Sequence, residues 1–307
     1  MICADAKKWR IKAIKVSIII PSYNMASFLH DAIDNILQQD YRPLEIIVVD
    51  DGSTDNTASI LQPYIANNQI RYIYQPNLGQ ASARNAGVKL ATGDAILFVD
   101  ADDLLPEKAV STLVHALEGL DDSYCLVHGE MEVFDDLTGE VLEVSKFKEI
   151  SKTFKRLISE RTNLFHACLI RKKAIEGVGM FSESLRFSYE DYEFILKLFK
   201  TCKFLSLDQV VYRYRIHNAS DSRVYNKERA YLNMRQHRSI LKRILKNESL
   251  LTKIAAWKKH YFWTGMDFSQ YDRKLSQEHL LISWLICPWD IAPLRFLIGG
   301  LLKRDRR

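Results

Sequence analysis

The chain has 307 residues, of which 47% are hydrophobic and 26% are charged, as in an ordinary globular protein. This composition excludes wholesale disorder, collagen, a coiled coil and a polytopic membrane protein, and the length suits one large α/β domain or one and a half smaller ones. The five cysteines are widely spaced, which predicts neither a disulfide framework nor a zinc site and favours a reducing compartment. No signal peptide is expected, because residues 1–10 lack an apolar core.

The basic charge is concentrated at the C-terminal end of the sequence. Residues 227–307 contain 17 Lys and Arg against 7 Asp and Glu, whereas residues 1–226 contain 26 against 31. The net charge of +5 therefore hides two parts of opposite sign, and we expect them to have different surroundings.

The first hundred residues alternate between β-branched runs and helical patterns. Strands are predicted at 16–20, 44–49, 70–74 and 95–99, with helices after Asn24, after 54–55 and over 80–91. Asn24 is predicted to cap the first helix. The alternation predicts an α/β fold with a doubly wound, mostly parallel sheet.

The second half is predicted to contain fewer and longer elements. A helix is expected over 104–119, strands over 124–134, 167–170 and 210–217, and one long helix over 226–259.

Polar residues follow three of the predicted strands, at 22–24, 50–51 and 100–102. In an open α/β sheet, ligands bind outside the carboxyl ends of the strands, so these groups are expected to converge on one crevice. Asp100 and Asp102 would point to the same side of extended backbone, and their oxygens suit Mg²⁺ or Mn²⁺. The alternatives are a helix cap at Asp102 or Asp103, and a simple turn at 50–55.

Four ordered segments together resemble glycosyltransferase family 2, the inverting nucleotide-sugar transferases of the GT-A fold. The segments are residues 17–24, 47–55, 79–87 and 93–103. The resemblance covers roughly residues 16–220. It implies a leader over 1–15, a catalytic domain over 16–222 with a nucleotide-binding half (16–105) and an acceptor half (106–222), and a basic helical extension over 223–307.

The resemblance also implies roles for individual residues in binding the donor. Nucleotide contacts are implied for Pro21, Tyr23, Asn24, Asp51, Arg84, Asp100 and Ala101. Tyr23 would pack on the base, and Asp51 would accept a hydrogen bond from a base imide, which favours UDP-sugar or TDP-sugar donors. Arg84 would approach the diphosphate or, alternatively, have a structural role on its helix. Asp102, Asp100 and His217 are the implied metal ligands, with an ordinary surface or core role as the alternative for His217.

Glu190 and Asp191 match the family's Glu-Asp pair, which implies that they are catalytic and that Asp191 is the general base. An inverting transfer needs one carboxylate to remove the proton of the acceptor hydroxyl. A bound metal would handle the departing diphosphate. Downstream, Arg213 and Arg215 share one side of a predicted strand, where they could contact phosphate or solvent.

The tail beyond residue 280 is apolar but interrupted, so it cannot span a bilayer as one clean helix. Trp284, Trp289, Phe296 and Leu297 precede the basic residues 303–307, a pattern that fits an anionic membrane surface. Packing of these helices on the catalytic domain is the alternative. Nucleic acid is not an expected partner, since no binding motif accompanies the charge.

Together with the residues that carry it, the resemblance implies a cytoplasmic inverting glycosyltransferase, with a peripheral position on the inner face of the membrane as the alternative. It would move a sugar from a nucleoside diphosphate sugar, with UDP-sugars favoured, to a hydroxyl of a glycan or lipid-linked glycan, in polysaccharide or cell-envelope synthesis. A sugar nucleotidylyltransferase is one alternative, but residues 21–24 are not the Gly/Arg/Lys-rich loop that binding a triphosphate requires. An inactive nucleotide-sugar-binding module is another, weakened by the joint presence of Asp100, Asp102 and Asp191.

Overall fold

One mixed sheet of eight strands organises the molecule. The computed structural model describes residues 13–147, 152–160, 164–187, 189–218, 220, 226–288, 290 and 292–293. The strands are β1 Val16–Ser22, β2 Leu44–Asp50, β3 Arg71–Tyr74, β4 Ala95–Phe98, β5 Tyr124–Asp135, β6 Val141–Ser145, β7 Cys168–Arg171 and β8 Lys203–Ile216. The helices are α1 Ala26–Leu37, α2 Thr57–Ala66, α3 Gln80–Leu90, α4 Ala109–Glu118, α5 Phe154–Glu160, α6 Lys172–Gly177, α7 Tyr189–Phe199, α8 Lys227–Ile244, α9 Leu250–Phe268 and α10 Arg273–Ile286.

Residues 16–105 form the parallel part of the sheet, as the sequence predicts. The strand order is β3-β2-β1-β4-β7-β5-β6, and β8 pairs with β5 outside this path. The strands β3, β2, β1 and β4 run parallel, with Val16 aligned to both Leu44 and Ala95. Every residue of β1 is buried, as expected for a parallel strand covered on both faces. Because β1 lies between β2 and β4, the strand order reverses there, and a crevice opens outside its carboxyl end.

Residues 106–222 join the sheet through the antiparallel strand β7. Strand β7 lies between β4 and β5 and is antiparallel to both. The chain then turns at residues 135–139 into β6, which forms a hairpin with β5. Strand β8 extends over fourteen residues and runs parallel to β5.

Two predicted helix caps are wrong, because each polar side chain bonds to a neighbouring loop or strand. The N-cap of α1 is Met25, and Asn24 instead accepts a hydrogen bond from the Thr54 amide at 2.8 Å. The helix predicted to begin near residue 104 begins at Ala109. Asp103 is fully buried and accepts from the Tyr212 hydroxyl at 2.7 Å and the Arg215 amide at 2.8 Å.

The C-terminal extension contains two long helices where the sequence predicts one. Helix α8 ends at Ile244, and α9 begins after Ser249, whose hydroxyl accepts from the Thr252 amide. A serine at this position caps a new helix and ends the continuous pattern. Helix α10 packs on α9, where the Ser283 hydroxyl donates to the Lys258 carbonyl at 3.0 Å. In the region the structure covers, no helix combines the length and apolarity needed to cross a bilayer.

The remainder of the apolar tail, including Trp289, Phe296, Leu297 and residues 303–307, lies outside the described residues.

The expectation of no disulfide is wrong for one pair. Cys125 and Cys202 are joined, with a Cα–Cα distance of 5.7 Å. The two cysteines are 77 residues apart, so no spacing motif indicates the bond. The fold makes them neighbours, because Cys125 lies in β5, Cys202 directly precedes β8, and these two strands pair.

Candidate active site

A cavity of about 470 Å³ lies where the carboxyl ends of β1, β2 and β4 meet. Seven of the residues predicted for the site line it, namely Pro21, Tyr23, Asp51, Asp100, Ala101, Asp102 and Glu190. Tyr23, Asp51, Asp100, Ala101 and Asp102 lie at three strand ends, which meet at one crevice as expected, and Glu190 reaches the same cavity from α7.

Four other predicted site residues do not line the cavity, namely Asn24, Arg84, Asp191 and His217. Arg84 contacts the cavity-lining Asp100, and His217 contacts the cavity-lining Asp102. Asp191 forms an ion pair with Arg84, whereas Asn24 connects two loops. The Asn24 backbone amide donates to Ser53 Oγ at 2.9 Å, and its side-chain Oδ1 accepts from the Thr54 amide. Asn24 has a φ of 54°, a left-handed conformation that asparagine tolerates better than most residues.

Asp51 fixes the loop that leads into α3. Its Oδ1 accepts from the Leu78 amide at 2.9 Å and from Gln75 Nε2 at 2.7 Å, and its Oδ2 accepts from the Gly79 amide at 2.8 Å. A carboxylate offers about four acceptor positions, so about one position on Oδ2 remains. Asp51 can therefore hold this loop and still accept one N–H from a ligand.

Gly79 occupies a position that no other residue fits well. Its φ is 95°, and a Cβ placed on it would lie 1.6 Å from Arg186 Nη1. The backbone conformation requires glycine here, and any side chain would also have to displace the guanidinium.

Arg84 connects the two acidic segments of the site. Its side chain is fully buried, forms an ion pair with Asp191, and lies 3.1 Å from Asp100 and 3.7 Å from Glu190. Although burial disfavours the charged form, the three carboxylates raise the pKa of Arg84. The guanidinium is therefore permanently charged at the centre of the acidic cluster.

The carboxyl groups around Arg84 respond differently to it. Burial, reinforced by Glu190 and opposed by Arg84, raises the pKa of Asp191 to about 6. Burial also raises the pKa of Glu190, against the pull of Arg84. For Asp100, burial is the largest single influence, but the charges of Arg84 and His166 and the hydrogen bonds from Arg84 and Gln80 together outweigh it, so the pKa is lowered. Asp100 is thus firmly ionised, whereas Glu190 and Asp191 protonate more easily.

The acidic residues after β4 fit a divalent cation. Burial and the charge of Asp100 raise the pKa of Asp102, so a bound cation would relieve the repulsion between two cavity-lining carboxylates. His217 Nε2 lies 2.9 Å from Asp102 Oδ2 and would orient that carboxylate. Carboxylate oxygens at a cavity wall are the ligands that Mg²⁺ and Mn²⁺ prefer.

His166 is a candidate ligand that the sequence analysis missed. It lines the cavity, and its Nδ1 lies 3.7 Å from Asp100 Oδ2. One ligand atom each from Asp100, Asp103 and His166 lies within 4.8 Å of the others. Since Asp103 already accepts from Tyr212 and Arg215, Asp102 is the better second carboxylate.

Further cavity residues also carried no recognisable signal in the sequence. They include Arg186, Phe187, Tyr214 and Arg229. Conversely, Arg213 and Arg215 do not line the cavity. Arg213 Nε donates to Glu132 at 2.7 Å, and Arg215 Nη1 donates to Asp136 at 2.6 Å, so both contact carboxylates.

The sequence matches the family model for glycosyl transferase family 2 over residues 17–179, more than half of the chain. An uncharacterized glycosyltransferase of Rickettsia prowazekii (strain Madrid E) is 31% identical over 251 residues, covering 80% of this chain and 77% of the relative. A longer relative from Rickettsia conorii (strain ATCC VR-613 / Malish 7) is also 31% identical, over 68% of this chain but only 35% of its own. The chain belongs to glycosyltransferase family 2.

Solved structures with the same architecture are more distant in sequence. TarS of Staphylococcus aureus, residues 1–349, superposes with a TM-score of 0.66 at 21% identity, covering 90% of this chain and 81% of TarS. The mannosyltransferase PcManGT of Pyrobaculum calidifontis, solved with GDP-Man and Mn²⁺, gives 0.62 at 18% identity, covering 96% and 82%. The fold is therefore GT-A, and with the family membership the chain is a glycosyltransferase.

Proposed function

We propose that this enzyme transfers a sugar from a nucleoside diphosphate sugar, with UDP-sugars favoured, to a hydroxyl group of a glycan or lipid-linked glycan, with inversion. The observation that carries the proposal is that one cavity contains the predicted base-binding residues, two carboxylates suited to a metal, and a third carboxylate on α7. TarS has been crystallised with UDP-GlcNAc, and PcManGT with GDP-Man, which supports a nucleotide-sugar donor.

The donor would lie along the cavity wall formed by β1, β2 and β4. Tyr23 is 45% exposed and lines the cavity, so its ring is available for a base to stack on. The remaining acceptor position of Asp51 would take the imide N–H of uracil, a proton that cytosine lacks.

Asp102, Asp100 and either His166 or His217 would hold Mg²⁺ or Mn²⁺ near the diphosphate. When bound, such an ion would neutralise charge on the departing diphosphate. His217 would keep Asp102 oriented through its 2.9 Å contact. His166 is the better candidate for a direct contact, because it lines the cavity and His217 does not.

The pair on α7 would supply the base. We assign the proton acceptor to Asp191, because a carboxylate with a pKa near 6 suits proton removal at neutral pH. Glu190 lines the cavity and would orient the sugar or the acceptor hydroxyl. Asp191 is 1% exposed, so this assignment requires the acceptor hydroxyl to approach beside Glu190.

Isothermal titration with UDP, TDP, GDP and CMP in Mn²⁺, followed by a screen of nucleotide sugars for slow hydrolysis, tests the proposal. We expect UDP to bind most tightly and one UDP-sugar to be hydrolysed. If CMP or GDP binds more tightly than UDP, the uridine assignment is overturned. If no nucleotide binds, the donor class itself is wrong.

We also propose that the C-terminal helices rest on an anionic membrane surface. Leu250, Leu251 and Leu285 are 72%, 70% and 62% exposed, within the basic part of the chain. Exposed leucines beside excess positive charge suit such a surface. Co-sedimentation with vesicles containing phosphatidylglycerol should be lost when the three leucines are replaced by serine, and Leu232→Ser is a matched exposed control.

A further inference from the structure

The cavity also carries two guanidinium groups that the proposed function does not use. Arg186 lies in the loop before α7, and Arg229 lies in the first turn of α8. The two residues come from different parts of the chain, and both line the cavity that contains Asp100, Asp102 and Glu190. We propose that Arg186 and Arg229 together form a phosphate-binding site.

Arg186 lies against the loop between β3 and α3, which Asp51 fixes. Its Nη1 donates to the Leu78 carbonyl at 3.0 Å and occupies the space that a side chain on Gly79 would need. The amide of the same Gly79 donates to Asp51. The positive charge of Arg186 is thus placed directly beside the loop that Asp51 fixes.

The C-terminal extension fixes the backbone of Arg186. Gln236 on α8 accepts from the Arg186 amide at 2.6 Å and donates to the Arg186 carbonyl at 3.1 Å. Gln236 is only 6% exposed, so both bonds are shielded from water. Because one buried side chain holds both backbone polar groups of Arg186, the backbone of this residue loses little conformational freedom when it binds a ligand.

Arg229 is oriented by an aromatic ring. Its guanidinium carbon lies 4.1 Å from the centroid of the Phe187 ring, a stacking geometry favoured by arginine. Phe187 is the residue after Arg186, so the stacking connects the two cationic residues through one loop.

Two guanidinium groups at one cavity suit a phosphate. The planar fork of arginine matches two phosphate oxygens at once, and such charge-assisted hydrogen bonds are about twice as strong as neutral ones. The acidic side chains of the cavity attract a cation, whereas the Arg186 and Arg229 side chains attract an anion directly. The site would therefore bind phosphate without a metal.

The phosphate could belong to the donor or to the acceptor, and this step rests on the proposed function. In the transfer, the acceptor oxygen bonds to the anomeric carbon, the bond from that carbon to the β-phosphate oxygen breaks, and its electron pair stays on that oxygen. The acceptor proton passes to Asp191. The departing diphosphate therefore gains one negative charge, which two guanidinium groups would stabilise. A phosphate carried by the acceptor would use the same chemistry.

Titrations of the full-length chain with UDP, uridine and inorganic phosphate test the site. The variants are Arg186→Gln and Arg229→Gln, and Arg235→Gln is the matched control, because Arg235 is exposed on the same helix and does not line the cavity. Arg186→Lys and Arg229→Lys serve if a glutamine variant unfolds. Inorganic phosphate is added both alone and to protein saturated with UDP and Mn²⁺.

If the donor supplies the phosphate, UDP should bind about tenfold or more weakly to both variants, while uridine binding stays within about twofold of wild type. If the acceptor supplies it, UDP binding should be unchanged, and phosphate binding to the UDP-saturated enzyme should weaken by a similar factor. Unchanged affinity for UDP and phosphate in both variants overturns the inference. If wild type binds no UDP, the donor proposal fails, and titration with phosphate alone still decides the site.

Discussion

Arg84 and Asp191, which lie 107 residues apart in the chain, form an ion pair in which neither side chain is more than 1% exposed. The pair joins α3, which follows the loop that Asp51 fixes, to the first turn of α7. Through Asp100, the same guanidinium also contacts the segment proposed to hold the metal. The proposed base and the proposed metal site are thus held together by one buried cation.

Replacing Arg84 by methionine should destabilise the fold. Removing one partner from a buried ion cluster typically costs about 3–5 kcal/mol, because the remaining charges stay buried without compensation. Urea unfolding at pH 7 measures the loss. Arg71→Met is the control, since the Arg71 side chain is 47% exposed and lies 3.7 Å from Glu45; we expect a change within about 0.5 kcal/mol. Equal effects of the two substitutions would contradict the central role of Arg84.

The loss of stability caused by Arg84→Met should depend on pH. Without the cation, the pKa of Asp191 should rise further above its ordinary value of 3.8. A raised carboxyl pKa contributes stability that is present below the ordinary value and is lost as pH rises through the folded value. The free energy of unfolding of the variant should therefore fall further below that of wild type at pH 8 than at pH 4. A pH-independent deficit would show that Asp191 does not respond to Arg84.

Turnover should require the ionised form of Asp191. Since its pKa is raised to about 6, kcat/KM should increase as pH rises through that value and then level off. Asp191→Asn should reduce kcat by about 10²–10⁴-fold while UDP still binds. Glu190→Gln is the informative comparison. If Glu190→Gln abolishes turnover and Asp191→Asn does not, Glu190 is the base.

Asp51→Asn should change base selectivity as well as affinity. An amide nitrogen cannot accept the uracil N–H, but it can donate to the ring nitrogen of cytosine. Loss of hydrogen bonds to a charged acceptor should weaken UDP binding by about tenfold or more. The ratio of UDP to CDP affinity, measured by titration, should fall. Asp55→Asn removes the same charge from the next turn, outside the cavity, and should leave the ratio unchanged.

Gly79→Ala should lower the stability of the fold for two reasons. Alanine is strained at a φ of 95°, and its Cβ would displace the Arg186 guanidinium. A residue held in such a conformation costs of order 1–3 kcal/mol. Gly177→Ala is the matched control, because no atom lies within 4 Å of a Cβ there. Thermal unfolding should separate the two variants clearly, and similar melting temperatures would refute the steric argument.

The parallel half of the fold could be predicted because its signals are local. A buried strand such as β1 shows an unbroken β-branched run, and its carboxyl end is marked by Pro21 and polar residues. The positions of Tyr23, Asp51, Asp100 and Asp102 at the cavity follow from that regularity. The family resemblance then supplied Glu190 and Asp191, which no local pattern distinguishes from ordinary acidic residues in a first helical turn.

The remaining site residues depend on tertiary contacts that leave no local pattern. His166 reaches Asp100 because β7 pairs antiparallel with β4, and nothing in residues 164–167 indicates that pairing. The sequence likewise favoured a cap at Asn24, which is a common role for asparagine. A bond to Thr54 in the next loop was equally compatible with the local pattern.

The match to the family model ends at residue 179, yet the binding cavity continues beyond it. Gln236 fixes the backbone of Arg186, Arg243 bonds to the buried Glu193 of α7, and Arg229 itself lines the cavity. Exchanging the C-terminal helices between relatives would thus rebuild part of the pocket. A chimaera made at the family boundary would inherit its substrate preference from both parents.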